Sequence, residues 1–550
     1  MAELKVVKKK KGLRLGTGTT GSAGGSDLRP HFTPKTPPCM VGCPIGNGVR
    51  EFVRLLREGA PMEQVWEKVT ETNPMPAITG RICPHPCQGE CNRGQIDGGV
   101  DVNAVERFIG SHAIQNKFKH KKLADEVRPE KIAVVGSGPA GISFAFQMAR
   151  RGYKVTVFES RDKVGGMLRW GIPRYRLPGD IIDAEYQAIL DLGVELKLNT
   201  KVGQDVSFDD LKKQFALVYV AIGAQLGVKL RIPGEDGSGL LSGVAFLDTV
   251  ARGQKVELGK SVAVIGGGNT AIDAARTAKR LGADVTVLYR RTVAEMPAIP
   301  SEINEAQEEG IKFEFLCAPL EIVRDNGSLT GIKCVRMQLG EPDASGRPRP
   351  VPIEGSEFVT PATAVIPAVS QAVDFQGLET LRNDKGWITA NAAGETAVPG
   401  ALAGGDATLG LGIAAQAIGL GKEAALEADA KLRGTPLVRE KLPVILYQRM
   451  ALDFYEKAPA VQRKHAPAAE RATNFDEVAF TITQEEAIAE AKRCLSCGRC
   501  FSCERCWMFC QYNAVVKPAT PGEAYKFKLE FCNGCKKCSE QCPCGYVEMV

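Results

Sequence analysis

No run of about 18 apolar residues occurs in the sequence, so nothing in it predicts a membrane-spanning helix. A secretory signal is not expected either. Met1 to Asp27 is Lys-rich and then Gly/Ser/Thr-rich (GTGTTGSAGGSD), which reads as a mobile tail without an apolar stretch. Strong charge of one sign is missing: the net charge is +6, part of it in Lys8 to Lys11, and no long basic face remains for nucleic acid. These absences predict a soluble, cytoplasmic protein. What is present is length and cysteine. A chain of 550 residues, 44% hydrophobic and 24% charged, exceeds one core and predicts three or more folded units. Of its 18 cysteines, five lie between Cys39 and Cys91, two are isolated (Cys317, Cys334) and eleven lie between Cys494 and Cys544. Close cysteine spacing in a large leaderless chain points to metal rather than to disulfides.

Two glycine-rich turns carry the next signal. The apolar strand Lys131 to Val135 runs into Gly136-Ser137-Gly138-Pro139-Ala140-Gly141, a helix-like stretch follows, and a second strand, KVTVFE, ends in Glu159. Glycines let the backbone approach a pyrophosphate at the positive end of the helix, and the acid accepts hydrogen bonds from ribose hydroxyls. The pattern recurs at Ser261 to Ile265 with Gly266-Gly267-Gly268-Asn269-Thr270-Ala271, but the second strand there, DVTVLYRR, ends in Arg290 and Arg291. Guanidinium groups at that place suit a 2′-phosphate, which favours NADP(H) over NAD(H), although an arginine pair is also a common solvated surface feature. FAD on the first turn and a nicotinamide nucleotide on the second is the natural pairing. A third stretch, Gly404-Gly405-Asp406, follows PGALA; it either closes the flavin domain or hydrogen-bonds the flavin's ribityl chain.

With these turns, Gly165-Gly166, GIPRYRLP (Gly171 to Pro178), YRR followed by EMPA, and AGGDA, the chain resembles the small (beta) subunit of glutamate synthase from about Pro38 to Leu432. It is similar also to the N-terminal part of dihydropyrimidine dehydrogenase and to the large subunit of electron-bifurcating NADH-dependent ferredoxin:NADP oxidoreductase. The resemblance implies an FAD domain interrupted by an NAD(P)H domain and preceded by a helical iron-sulfur region. Gly166, Met167, Leu168, Arg176 and Gly223 are further expected cofactor contacts. Thioredoxin reductase shares the two-nucleotide plan but carries Cys-x2-Cys in its nucleotide domain, and no such pair occurs between Ser261 and Gln371. The family's usual Ile-Gly-Gln reads Val369-Ser370-Gln371 here.

The C-terminal cysteines follow C-x2-C-x2-C-x3-C twice, as in bacterial two-cluster ferredoxins, where the fourth cysteine of each run ligates the other cluster. One expected set is Cys500, Cys503, Cys506 and Cys542; the other is Cys532, Cys535, Cys538 and Cys510. Zinc is the alternative for paired Cys-x2-Cys motifs, and would leave cysteines of both runs unused. Nearer the N-terminus, the resemblance implies two more 4Fe-4S clusters, one with a carboxylate or amide ligand. Cys43, Cys83, Cys87 and Glu106 are one expected set. The family's opening Arg-Cys-x2-Cys is missing there and stands instead at Arg493 to Cys497, after a helix with a capping box at Thr483 and Glu486. Either Cys494 and Cys497 return to join Cys39 and Cys91, giving four clusters and a continuous electron path, or the early cluster is incomplete and the two are spare.

The expected architecture is α/β: 1–37 a flexible tail, 38–127 a helical iron-sulfur domain, 128–240 and 365–435 the two parts of an FAD domain, and 241–364 the NAD(P)H domain. A linker and helix over 436–490 and an α+β ferredoxin-like domain over 491–550 complete it. Flavin takes a hydride as an electron pair and clusters carry single electrons, so the chain reads as a two-to-one electron converter with no catalytic acid or base. With no further catalytic domain before Val550, it reads as the electron subunit of a larger enzyme. Candidate partners are a 2-oxoacid:acceptor oxidoreductase first, then a glutamate synthase large subunit, an electron-bifurcating complex or a sulfur-metabolism reductase. A self-sufficient reductase of a small molecule and a scaffold with structural clusters are the alternatives.

Overall fold

Apolar runs without alternation mark parallel strands covered on both faces. KIAVV, KVTVF and LVYV are such runs. In the structure, a computed structural model describing residues 26–343, 346–520 and 523–550, they are the strands Lys131–Val135, Lys154–Phe158 and Leu217–Val220 of a five-stranded parallel sheet. Glu195–Lys197 forms one edge, and Ala401–Ala403, from far later in the chain, forms the other with Ala401 opposite Val218. The helices Pro139–Ala149 and Ala414–Arg433 pack against each other beside it.

Between these two parts lies a second parallel sheet, in the order Ala364–Pro367, Ser261–Ile265, Asp284–Tyr289 and Lys312–Phe315. The expected boundary at 364 is therefore too early, because Ala364–Pro367 pairs with Ser261–Ile265 and belongs to the second domain. The chain leaves and re-enters the first domain side by side, through the short antiparallel pair Leu226–Gly227 and Gln371–Ala372. An antiparallel sheet of Cys317–Asp325, Ser328–Pro342, Pro348–Pro352 and Phe358–Pro361 is appended to the second domain and was not foreseen.

The N-terminal region is helical as expected, with Val49–Arg57, Met62–Thr70, Pro76–Ile82 and Val102–Gln115 around Phe52, Val53, Trp66 and Ile109. Pro76–Ile82 and Val102–Gln115 cross backbone to backbone. A Cβ on Gly80 would stand 2.3 Å from the Arg107 nitrogen, and one on Gly110 would stand 2.2 Å from that of Ala77. The helix Gln484–Lys492 buries Ala487 and Ala491 in the same cluster and packs on Val49–Arg57. Contact clustering places Thr36–Val444 and Lys457–Leu495 in one unit. Residues 457–490, expected as a linker, are thus part of that unit, and 491–495 belong with them rather than with the C-terminal domain.

The other unit comprises the described residues up to Lys35, Ile445–Glu456 and Ser496–Val550. It is α+β. Pro30–Phe32 pairs antiparallel with Val547–Met549, and Val515–Val516 pairs with Lys526–Phe527, beside the short helices Arg505–Met508 and Lys537–Glu540. The tail expected over 1–37 does not hold for its last residues, which supply a strand; residues 1–25 lie outside the described residues. Among the described residues no helix is long and apolar enough to cross a membrane.

A buried charge network ties the larger unit together. Arg276, fully buried, donates to Glu305 and Glu309 at 2.7 and 2.6 Å and also to Glu302. Arg280 bonds Glu309 at 2.7 Å and stacks 3.8 Å from the Tyr175 ring. Arg176 bonds Asp273 at 2.7 Å and Glu302 at 3.0 Å, while His465 and Arg471 reach Glu305 and Glu309 from the 457–495 segment. Removing one partner of such a network leaves charge stranded in low dielectric. Arg276→Met is expected to destabilise the protein by about 3–5 kcal/mol, read as a lowered denaturant midpoint, whereas Lys255→Met, at an exposed pair with Glu257, leaves the midpoint in place.

His120 stacks 4.5 Å from Trp66 and meets Phe146 edge to face at 4.7 Å, and burial together with nearby Arg150 lowers its pKa from 6.5 to about 3. The unfolded chain then binds the proton first, so stability is lost as pH falls from 6.5 toward about 3. His120→Phe should flatten that acid slope in thermal melts; an unchanged slope counts against it.

Candidate functional site

Both glycine turns open on one cavity of about 1130 Å³ within the larger unit. Its wall contains Gly136, Gly138, Pro139, Ala140, Glu159, Gly166, Met167, Leu168, Arg176 and Gly223 from the first domain. Gly266, Gly268, Asn269, Thr270, Arg290 and Arg291 come from the second, and Gly405 and Asp406 from the returning segment. Gly141 is the one expected contact that does not line it. A Cβ there would stand 2.0 Å from the Gly136 oxygen, so this glycine lets helix and loop close on each other behind the turn. At Gly138 and Gly268, by contrast, a Cβ would meet nothing within 4 Å, which leaves open space for a pyrophosphate at each helix start.

Glu159 is buried at the end of Lys154–Phe158. Its Oε2 accepts from the Ser137 nitrogen and hydroxyl at 3.0 and 2.5 Å, and its Oε1 from the Arg161 nitrogen at 2.9 Å. The acid therefore shapes the turn while standing in the cavity wall. Asp406 accepts from the Gly412 nitrogen at 3.3 Å, and burial pushes its carboxyl above the usual range. Thus the third glycine stretch belongs to the pocket.

Three arginines need sorting. Arg176 is in the wall, but its guanidinium is bonded to Asp273 and Glu302, so it acts as a strut between domains rather than as an open cofactor donor. Arg291 is buried, with Nε on the Pro348 carbonyl at 2.7 Å and Nη2 on Asp343 at 2.6 Å. Arg290 is exposed at the cavity rim. These neighbours are equivalent in sequence, and only the appended sheet separates them. Sequence reasoning also missed Ile82 and Pro84, which flank Cys83 and line the same cavity, and Gln371, whose Nε2 lies 3.4 Å from the Thr270 hydroxyl. The Ile-Cys-Pro context of Cys83 was a signal available for the first two.

The thiols fall into sets. Glu106 is buried on Val102–Gln115 and accepts from the Asn47 and Asn73 amides at 2.8 and 2.9 Å; burial raises its pKa to about 7. Cys83 is pushed up to about 12 by burial, with the Glu106 and Cys43 charges adding, and Cys43 and Cys87 are raised by burial and by the same carboxylate. Cys43, Cys83, Cys87 and Glu106 are thus within electrostatic reach of one another. Cys39, Cys91 and Cys494 pack on the helical cluster, and Arg57 and Arg93 donate to the Cys494 and Arg493 carbonyls at 3.4 and 2.8 Å. Cys497 lies in the other unit.

In that unit Cys503 is raised to about 12 by burial and by Cys542 and Cys500, and Cys506 is raised by burial and by Cys503, Cys542 and Cys500. Cys538 is raised to about 12 by burial and by Cys532, Cys510 and Cys535. The members of each crossed set expected from the spacing are thus within electrostatic reach of one another. Their hydrogen bonds repeat: the Ala514 nitrogen donates to Cys510 and the Tyr546 nitrogen to Cys542, each four residues on and each at 3.2 Å. Among the described residues no three His, Cys, Asp or Glu side chains converge on one point as ligands of a single ion would; the thiols of each set are within electrostatic reach without doing so.

Two parallel domains that present dinucleotide turns to one shared cavity define a two-nucleotide α/β oxidoreductase. Residues 130–425 match the family described as pyridine nucleotide-disulphide oxidoreductase, and residues 32–118 match dihydropyrimidine dehydrogenase domain II, 4Fe-4S cluster. The chain belongs to the pyridine nucleotide-disulphide oxidoreductase family and carries an N-terminal iron-sulfur domain. It is 37% identical to the NADP(+)-dependent formate dehydrogenase subunit beta of Moorella thermoacetica, over 88% of this chain and 73% of that protein. It is 35% identical to the NADPH-Fe(3+) oxidoreductase subunit beta of Geobacter sulfurreducens, over 84% and 75%. Against the glutamate synthase [NADPH] small chain of Escherichia coli the identity is 34%, over 71% and 87%.

The two kinds of glycine predict different failures. Gly141→Ala, with backbone 2.0 Å away, is expected to yield protein without flavin absorbance. Gly268→Ala, with its Cβ in open space, is expected to keep the flavin and weaken nicotinamide nucleotide binding by roughly tenfold, about 1.4 kcal/mol, in a fluorescence titration.

Proposed function

We propose that the chain is the electron-transfer subunit of a larger enzyme, moving electrons between NADPH on the second domain, FAD on the first, and 4Fe-4S clusters. When bound, FAD supplies the exchange of a hydride pair for single electrons, and the clusters carry those singly. The observation that carries this reading is the shared cavity, whose wall holds both dinucleotide turns and the residues on either side of Cys83. Gly136, Gly138 and the helix start at Pro139 would hold the FAD pyrophosphate, Glu159 the adenosine ribose, and Asp406 the ribityl chain. Gly266, Gly268 and Arg290 would hold the nicotinamide nucleotide.

Cys43, Cys83, Cys87 and Glu106 would ligate the cluster nearest this cavity. The buried Glu106 suits that role, since the Asn47 and Asn73 groups that donate to it are neutral amides and a buried carboxylate without a cation is costly. The crossed thiol sets of the C-terminal unit would hold two more clusters, which makes that unit ferredoxin-like; of the expected fourth set, Cys39, Cys91 and Cys494 belong to the larger unit and Cys497 to the other. Two of the relatives are beta subunits by name, which supports an oxidoreductase catalytic subunit as partner. A 2-oxoacid:acceptor oxidoreductase is one partner of that kind, and the formate dehydrogenase and ferric reductase systems are others.

Anaerobic addition of NADPH is expected to bleach the flavin and then reduce clusters, seen as electron paramagnetic resonance signals, without any other protein. Iron content near sixteen atoms per chain is expected for four clusters; about twelve would remove the fourth. A flavin that NADPH leaves oxidised would sink the proposal.

A further inference from the structure

The arginine pair at the end of Asp284–Tyr289 is half committed. Arg291 spends its guanidinium on Asp343 and the Pro348 carbonyl, both in the hairpin formed by Ser328–Pro342 and Pro348–Pro352. Its charge is matched by Asp343 and its position is buried. Arg290 alone would then face a phosphate that carries close to two negative charges.

A second cavity, about 710 Å³, lies at this place. Arg290, Arg291 and Arg349 line it together with Glu341 and Asp343. With Asp343 neutralised by Arg291, two guanidinium groups remain against the single carboxylate of Glu341. Arg349 is exposed on the hairpin, and Arg347, two residues earlier, lines the main cavity that also contains Arg290. Forked guanidinium donors on two separate elements can take different oxygens of one phosphate, which a single arginine cannot do with the same geometric selectivity.

We propose that the appended hairpin completes the 2′-phosphate site: Arg349 is a specificity-determining residue acting with Arg290, and Arg291 is a positioning residue that anchors the hairpin over the nucleotide's adenosine end. The inference rests on the reading of this pocket as an NADP(H) site. It explains why Arg291 is buried at a position where an exposed donor was expected. It also gives the long insertion between Lys312–Phe315 and Ala364–Pro367 a task in recognition rather than only in packing.

Calorimetric titration of the flavin-loaded full chain with 2′,5′-ADP and with ADP separates the possibilities. The wild type is expected to bind 2′,5′-ADP more tightly. Arg349→Gln, an exposed substitution, should weaken 2′,5′-ADP at least tenfold and leave ADP unchanged, and Arg349→Lys should restore only part of the loss. Arg291→Met should lose the same discrimination although Arg290 and Arg349 are intact. If Arg290→Gln abolishes discrimination while Arg349→Gln does not alter it, the hairpin inference is overturned and the NADP(H) reading stands. If the wild type itself does not distinguish the two nucleotides and Arg290→Gln changes nothing, the NADP(H) reading falls as well.

Discussion

Placing charge away from water is tolerable only when its partners are fixed, and the larger unit is organised around one such arrangement. Arg276 lies fully buried among Glu302, Glu305 and Glu309, and those same carboxylates receive Arg176 from the flavin side and His465 and Arg471 from the 457–495 segment. Three stretches of chain distant in sequence therefore share one set of counter-charges. None can move alone without exposing a guanidinium or carboxylate that has no substitute partner. The orientation of the two nucleotide domains, and with it the shape of the cavity between their glycine turns, follows from this shared set rather than from apolar packing alone.

The parts of the fold legible in the sequence were those whose physics is local. A strand, a glycine turn, a helix and a second strand must lie within some thirty residues to grip a dinucleotide, so both turns could be read directly. The C-terminal cysteines could be read as two crossed sets for the same reason, since C-x2-C-x2-C-x3-C is a local spacing. What escaped depends on pairing at a distance. AVIP at Ala364–Pro367 is apolar on both sides and would suit either parallel sheet. Arg290 and Arg291 are indistinguishable until the hairpin at Pro348 is seen to occupy one of them. Residues 457–483 have too little periodicity to reveal that His465 and Arg471 are fastened to buried carboxylates.

The crossing of Pro76–Ile82 with Val102–Gln115 shows how the iron-sulfur region is set against the flavin side. Gly80 and Gly110 remove the side chains that would hold the two helices apart. The first helix ends at Ile82, directly before Cys83, and the second carries Glu106. One backbone contact thereby fixes a thiol and a carboxylate of the same set, while Ile82 and Pro84 face the nucleotide cavity.

The edge strand Ala401–Ala403 has a consequence for biosynthesis. The flavin-side sheet lacks its final strand, and the cavity its Gly405–Asp406 wall, until the whole nicotinamide domain has been translated. At elongation rates of about 5–20 residues per second, the first 220 residues wait on the order of ten seconds or more for that partner. The flavin can be gripped completely only once Gly405 and Asp406 have been made. A nascent chain cut short within the second domain would expose an apolar sheet edge, which makes early termination products targets for chaperones rather than partially active enzymes.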